Sequence, residues 1–380
     1  MGETADRAVE RALGRRLWRM AGVAALAGVA WVGRDVPAQL GGRLTGARAE
    51  RAARSPRFRD GTFHNPTSTR TMVADPGRNL VKELIFGKQK RRPDGGVPLL
   101  RPSAAPAADP ARELNVVWYG HASALIEIEG RRVLLDPVWS DRCSPSTRVG
   151  PRRIHEPPVR LDELPPVDAI LISHDHYDHL DLATVRGLVA HQSAPFLVPL
   201  GVGAHLDRWG VPEERIVELD WSESHQIGDL TITATAAQHF SGRGLRRDGT
   251  LWSSWVVAGA HRKAFYTGDS GYFEGYAEIG AEHGPFDVTL MQIGAYDRAW
   301  PSIHMFPEEA VAAHLDLRGG LFIPVHWATF NLALHDWAEP VNRLWVEAKA
   351  RDVRLAVPRP GERVVVDDPP AVDGWWQAIV

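Results

Sequence analysis

Residues 174–179 read HDHYDH, which places three histidines and two aspartates within six positions directly after the apolar run AILIS. Imidazole and carboxylate groups are costly to bury unpaired, so such a cluster beside a core strand points to a bound cation. The same juxtaposition recurs downstream: LTITATAAQ runs into His239, KAFYTG into Asp269 and LFIPV into His326. Four apolar segments thus each deliver one metal-type ligand at their end, as a site on the rim of a rigid sheet requires. The seven candidates His174, His176, Asp178, His179, His239, Asp269 and His326 outnumber the three protein ligands of a typical catalytic zinc. They suit two divalent ions that share a carboxylate, hold a hydroxide between them and stabilise both attacking and leaving oxygens. Cys143 is the only cysteine, which excludes a thiolate cage and an intrachain disulfide. The donors left, imidazole and carboxylate, accept zinc, iron or manganese.

These ligands need a sizeable scaffold, and the composition supplies one. The chain has 380 residues, 44% hydrophobic and 24% charged, as in a globular protein with ample core. A formal charge of −3 leaves no basic footprint for nucleic acid. Nothing in the pattern reports an oligomeric state. At the N-terminus, Arg7, Arg11, Arg15, Arg16 and Arg19 precede the uncharged run MAGVAALAGVAWVG at 20–33. That run is short for a membrane span and fits the core of an export signal, with VPA at 36–38 as a small-residue cleavage site. The pair Arg15-Arg16 suggests twin-arginine export; the alternative is an uncleaved anchor. Either places the protein in the cell envelope. Residues 34–56, rich in Arg, Ala and Gly, read as a linker, and 57–112 as an arm packing on a larger domain, with one helical stretch near 78–87.

The elements that must position the ligands follow from periodicity. NVVWYGHASALIEIEGRRVLLDP alternates apolar and polar residues around the turn EGRR, as antiparallel strands do. Further strands are expected at 169–173, 230–238, 252–259, 263–268, 287–294 and 321–326, and helices at 179–191 and 306–317. Strands in runs, then strands alternating with helices, predict an α/β protein with two sheets flanked by helices. Most of the 14 tryptophans are expected in the core, a few at an interface.

The stretches WYGHASALIEIEG, AILISHDHYDHLD, YTGDSGYF, IGAYDRAW, HMFPEEAV and PVHWATFNLA resemble the metallo-β-lactamase superfamily. Within it they are most similar to N-acylphosphatidylethanolamine-hydrolysing phospholipase D and its bacterial relatives, over about 57–370. The resemblance implies an αββα sandwich of two mixed sheets. It implies one metal on His174, His176 and His239, a second on Asp178, His179 and His326, and Asp269 bridging them, with zinc the first choice. Asp178, Asp269 and His304 are then the expected catalytic residues, with His304 at the mouth of the site contacting phosphate or moving a proton. Asp136, in LLDP, would orient a ligand histidine, and His121 would stand just behind the ligands. The activity implied is phosphodiester hydrolysis by a metal-bridging hydroxide, on N-acylphosphatidylethanolamine or a related phospholipid at a membrane surface. The alternatives are a lactonase or other hydrolase of a small polar or phosphorylated metabolite, as in the ascorbate-6-phosphate lactonase branch, and a metal-binding envelope protein without turnover.

Overall fold

The computed structural model of the chain describes residues 31–69, 71–75, 77–102 and 110–379. Most of the expected signal or anchor therefore lies outside the described residues. Among these, no helix is long and apolar enough to cross a membrane.

The stretch 34–56, expected as a linker, is folded and docked. It holds two helices, α1 (Val36–Gln39) and α2 (Gly46–Arg54). Trp209 Nε1 donates to Ala38 O at 2.8 Å and Arg243 Nε to Gln39 O at 2.7 Å. On α2, Arg48 pairs with Glu213 and Arg51 with Glu223, while Ala52 is buried. Alanine and arginine are good helix formers, and glutamates 165–172 residues away in the sequence, out of reach of any local pattern, hold the helix in place. The arm follows as a short hairpin, β1 (Phe58–Arg59) with β2 (Thr62–Phe63), and a helix, α3 (Leu80–Phe86), which Asn79 caps by accepting from Lys82 N.

Two seven-stranded mixed sheets make up the body. The first contains β3 (Leu114–Gly120), β4 (Ser123–Ile128), β5 (Arg131–Leu135), β6 (Ala169–Leu171), β7 (Phe196–Pro199) and β8 (Ile216–Leu219). The second contains β9 (Ser224–Ile227), β10 (Leu230–Thr235), β11 (Ser254–Ala258), β12 (Lys263–Tyr266), β13 (Phe286–Gln292), β14 (Gly319–Val325) and β15 (Arg354–Leu355). The last strand, β16 (Arg363–Val365), returns to the first sheet beside β3. In each sheet the strands nearest the chain's own hairpins pair antiparallel, while β5–β8 and β12–β15 run parallel. The parallel halves carry the crossover helices: α4 (Leu182–His191), α5 (Gly203–Arg208), α6 (Gly275–His283), α7 (Pro307–Asp316) and α8 (Glu339–Ala350). The αββα sandwich is thus the fold of this chain.

Period-two alternation explains the burial on both faces. In β3, Leu114, Val116 and Trp118 join the core between the sheets, while Val117 and Tyr119 face the layer built with Leu182, Val185 and Leu188 of α4. Trp327 stacks on Trp118 with centroids 5.6 Å apart and meets Trp375 and Trp376 of the C-terminal segment. The residue that follows ligand candidate His326 is therefore locked into the core. Residues 371–379, beyond the expected end of the domain, belong to it through Trp375 and Trp376. The expected tryptophan distribution is partly visible: Trp118, Trp252, Trp255 and Trp376 are fully buried, while Trp31 is exposed.

Two buried imidazoles away from the ligands make stability depend on pH. Burial pushes His314, which meets Thr289 Oγ1 at 2.7 Å, and His155 down to about 4, from an ordinary value of 6.5. Between pH 6.5 and about 4 the unfolded chain takes up protons that the fold refuses. Stability is therefore expected to fall as the pH drops through that window, on the order of 3 kcal/mol for such a group once it is crossed. Chemical denaturation across this range should show the loss, and His314→Gln should flatten part of the slope; an unchanged slope in that variant would remove His314 from the account.

Candidate metal centre

HDHYDH forms the turn between β6 and α4. The turn is tight, with His179 N and Leu180 N both donating to His176 O at 3.1 and 2.8 Å. Asp181 closes it by capping α4 through Thr184 N. His239 follows β10, Asp269 follows β12 and His326 follows β14, so the ligand candidates meet at one rim of the two sheets. This is the carboxyl end of the parallel strands, where helical crossovers leave the loops free to converge.

The seven residues fall into two groups sharing one carboxylate. His174 Nε2 lies 2.8 Å from His176 Nδ1, which lies 3.3 Å from His239 Nε2. In the second group, Asp178 Oδ2 lies 3.3 Å from His179 Nε2 and 3.2 Å from His326 Nε2. Asp269 Oδ2 stands 3.1 Å from each of those two nitrogens, and 4.0 and 3.9 Å from His174 Nε2 and His239 Nε2. A tetrahedral zinc with nitrogen ligands at about 2.0–2.1 Å sets them about 3.3 Å apart, a value inside the 2.8–4.0 Å spread of these separations.

Hydrogen bonding alone does not account for these atoms. His179 Nε2 is buried and makes no hydrogen bond despite its short distance to Asp269, and Asp269 Oδ1 is likewise without a partner. The outward ring nitrogens explain why. His179 Nδ1 donates to Asp136 Oδ2 at 2.6 Å, His239 Nδ1 to Ile303 O at 2.9 Å and His174 Nδ1 to Ser173 Oγ at 2.9 Å. Each of these three rings thus keeps a proton on Nδ1 and directs Nε2 inwards, as ligands to a cation do, while His176 faces the group through Nδ1. The donor set fits divalent metal ions.

The electrostatics agree. Burial alone would raise Asp178 and Asp269, but His179 and the neighbouring imidazoles hold both well below the usual carboxylate range. Burial pushes His174 and His239 well below the usual imidazole range. Against the same burial, Asp269 and Asp178 drive His326 up to about 9 and His179 well above its ordinary value. A cation bound here would take the place of the protons that the raised His179 and His326 hold against the two carboxylates. Metal uptake would accordingly release protons and weaken as the pH falls.

Asp136 is wholly buried beneath the centre. Besides His179, its carboxylate accepts from Ser173 N at 2.7 Å, from Ser173 Oγ, and from Tyr266 OH at 2.5 Å. His121 donates from Nε2 to Asp178 Oδ2 at 2.9 Å, and its ring lies 4.0 Å from that of His326. Both stand directly behind ligand atoms. His121, Asp136 and His326 all adopt positive φ (51°, 34° and 65°), a conformation that costs a non-glycine residue on the order of 1–3 kcal/mol. Surrounding bonds hold them there, among them His326 N to His121 O at 2.7 Å.

Sequence reasoning missed several supports. Arg243, buried, donates from Nη1 to Asp175 O and Leu180 O, bracketing the ligand turn, and lies over the rings of Tyr177 and Trp209. Asp175, inside HDHYDH but turned away from the metal side, accepts from Gly242 N at 2.7 Å and meets His205 Nε2 at 3.2 Å. Neither Tyr266 nor Arg243 sits in a local pattern that would reveal its partner. The nearest signal for Tyr266 is its place at the end of the strand that delivers Asp269.

Above the centre opens a cavity of about 230 Å³. His176, Asp178, Asp269 and His304 form its polar side; Met72 of the arm, Phe240, Trp300, Ile303 and Leu332 form an apolar side. His304 Nδ1 lies 3.9 Å from Asp269 Oδ2, and burial pushes its imidazole down to about 4, so the ring is neutral at neutral pH.

Comparison with known proteins agrees with this geometry. A model described as the beta-lactamase superfamily domain matches residues 131–327, a span that holds all seven ligand candidates. An uncharacterized protein of Mycobacterium tuberculosis is 52% identical over 372 residues, covering 96% of this chain and 99% of its own. The N-acyl-phosphatidylethanolamine-hydrolyzing phospholipase D 1 of Caenorhabditis elegans is 32% identical over 311 residues, covering 76% of this chain and 87% of that protein. Among solved structures, Igni18, a metallo hydrolase of Ignicoccus hospitalis, superposes with a TM-score of 0.51 at 20% identity, covering 66% of this chain and 97% of the other.

Proposed function

The chain belongs to the β-lactamase superfamily of metal-dependent hydrolases, and on that premise we propose that it cleaves a phospholipid phosphodiester, N-acylphosphatidylethanolamine first of all, with two divalent ions, zinc before iron or manganese. The observation that carries this reading is the two-sided cavity. Its floor of imidazole and carboxylate suits a charged reacting group, and its wall of Met72, Phe240, Trp300, Ile303 and Leu332 suits an acyl chain. A small polar lactone would leave that wall unused.

His174, His176 and His239 would hold one ion, Asp178, His179 and His326 the other, and Asp269 both. Bound there, the ions supply activated water at neutral pH and charge stabilisation for the phosphoryl oxygens. The chain's own residues do the rest. Asp136 keeps His179 in the tautomer whose Nε2 faces inwards. His121 holds Asp178 in place through Oδ2. His304, neutral and on the cavity wall, is placed to hydrogen-bond a phosphoryl oxygen or to pass a proton towards the departing alcohol. The products would be phosphatidic acid and an N-acylethanolamine. An envelope location, with a membrane surface as the source of substrate, follows from the basic and apolar pattern of residues 7–33.

Elemental analysis of the purified protein, combined with parallel assays on N-acylphosphatidylethanolamine vesicles and soluble lactones, tests the reading. About two metal ions per chain and release of phosphatidic acid are expected. Lactone opening without phosphatidic acid would replace the reading with the lactonase one. Bound metal with no turnover of either substrate would favour a binding protein.

A further inference from the structure

The loop 242–249 is fixed at both ends. At its start, Gly242 N donates to Asp175 Oδ1 and the Arg243 guanidinium reaches Asp175 O and Leu180 O in the ligand turn. At its end, Asp248 N donates to Ser241 O at 3.0 Å, Asp248 Oδ1 accepts from Ser241 N, and Asp248 O accepts from Phe63 N at 2.8 Å. The residue between these anchors that faces the site is Arg247. Its guanidinium carbon lies 5.1 Å from the ring centroid of Phe240, whose ring packs 4.5 Å from His176 and 4.8 Å from His239. Among the described residues, Arg247 is the one lysine or arginine lining the cavity above the metal centre. Among the described residues no carboxylate oxygen comes within 4 Å of its guanidinium, because the adjacent Asp248, whose charge Arg247 still favours, turns its carboxylate to Ser241 N.

A guanidinium stacked on an aromatic ring keeps its edge donors free for a planar fork of oxygens. Beside a centre that would hold two dications against two carboxylates, Arg247 would add like charge, which favours an incoming anion. We propose that Arg247 is a specificity-determining residue that binds an anionic phosphoryl oxygen of the substrate at the cavity mouth, selecting phosphate-bearing substrates over neutral esters and lactones. This rests on the phosphodiesterase reading for its substrate. The ligand chemistry is shared by a lipid phosphodiester and a soluble phosphate ester, and the experiment separates the two.

The test compares the metal-loaded wild type with Arg247→Ala and Arg247→Lys. Kinetics are read on N-acylphosphatidylethanolamine in mixed micelles, and inorganic phosphate binding by titration calorimetry, which needs no turnover. Loss of one charge-assisted contact predicts a KM higher by about 10–100-fold in Arg247→Ala, with the loss falling on KM more than on kcat. Phosphate binding should weaken by a similar factor, Arg247→Lys should recover only the part of both losses that a point charge supplies, and metal content should match the wild type. Weakened phosphate binding with an unaltered KM for the lipid would support the anchor and assign it to a soluble phosphate ester. Unaltered phosphate binding in Arg247→Ala, or a loss that the lysine does not recover at all, would overturn the assignment. If the wild type cleaves no phospholipid, the phosphodiesterase reading fails while the calorimetric comparison still decides the role of Arg247.

Discussion

Asp269→Asn is expected to lower hydrolysis by about 10³-fold or more and to reduce bound metal below two ions per chain. Asp269 Oδ2 is the donor atom that faces both ligand groups, 3.1 Å from His179 Nε2 and His326 Nε2 and about one ångström farther from His174 and His239. An amide keeps the volume but loses the negative charge, and half of its orientations aim an NH₂ group at imidazole lone pairs. The carboxylate also keeps the metal-free site balanced, since Asp269 is the leading group that drives His326 up to about 9 against its burial. The variant should therefore fold while titrating differently: proton release on metal addition should shrink with the metal stoichiometry. Elemental analysis and turnover measured on the same preparation decide the matter. Two bound ions with wild-type turnover would refute the bridging role and with it the shared-ligand architecture.

Asp136→Asn tests the layer beneath. That carboxylate is wholly buried and accepts four hydrogen bonds, from His179 Nδ1, Tyr266 OH and both Ser173 donors. An asparagine offers one acceptor oxygen and two unwanted donors, so His179 loses the partner that fixes its tautomer. Metal affinity is expected to fall about 10–100-fold, the usual cost of removing a partner of a ligand histidine. Stability should drop by about 3–5 kcal/mol, as when one side of a buried charged pair is removed. Tyr266→Phe, which deletes one of the four bonds, should cost roughly 1 kcal/mol. Saturating metal should restore much of the turnover in Asp136→Asn, because the residue positions a ligand and does not touch substrate. Loss of turnover that no metal concentration restores would place Asp136 in the chemistry instead. Metal titration with denaturation curves separates the two.

Much of this site is legible in the residues themselves, for local reasons. A strand's alternation and a helix's 3.6 period are properties of neighbours, so β6, β10, β12 and β14 and the helices at 182–191 and 307–316 stand close to their expected positions. HDHYDH is equally local: three ring and two carboxylate side chains at the end of an apolar strand leave few roles besides metal. Where the local pattern is weak, no element stands out. The strands 196–199, 216–219 and 224–227 and the helix 339–350 carry no distinctive signal, and the docked stretch 34–56 looked like a linker because its arginines find their glutamates far along the chain.

The ligand types, the strand ends that carry them and the α/β class are readable locally, because side-chain chemistry and backbone period are set within a few residues. The packing of the two sheets sets which nitrogen faces which oxygen and brings Tyr266, Arg243 and Arg247 to the site. Asp178 and His326 meet across 148 residues of sequence, and no pattern in the intervening chain encodes that 3.2 Å contact. It arises when two sheets close on a shared core and bring the carboxyl ends of their strands to one rim.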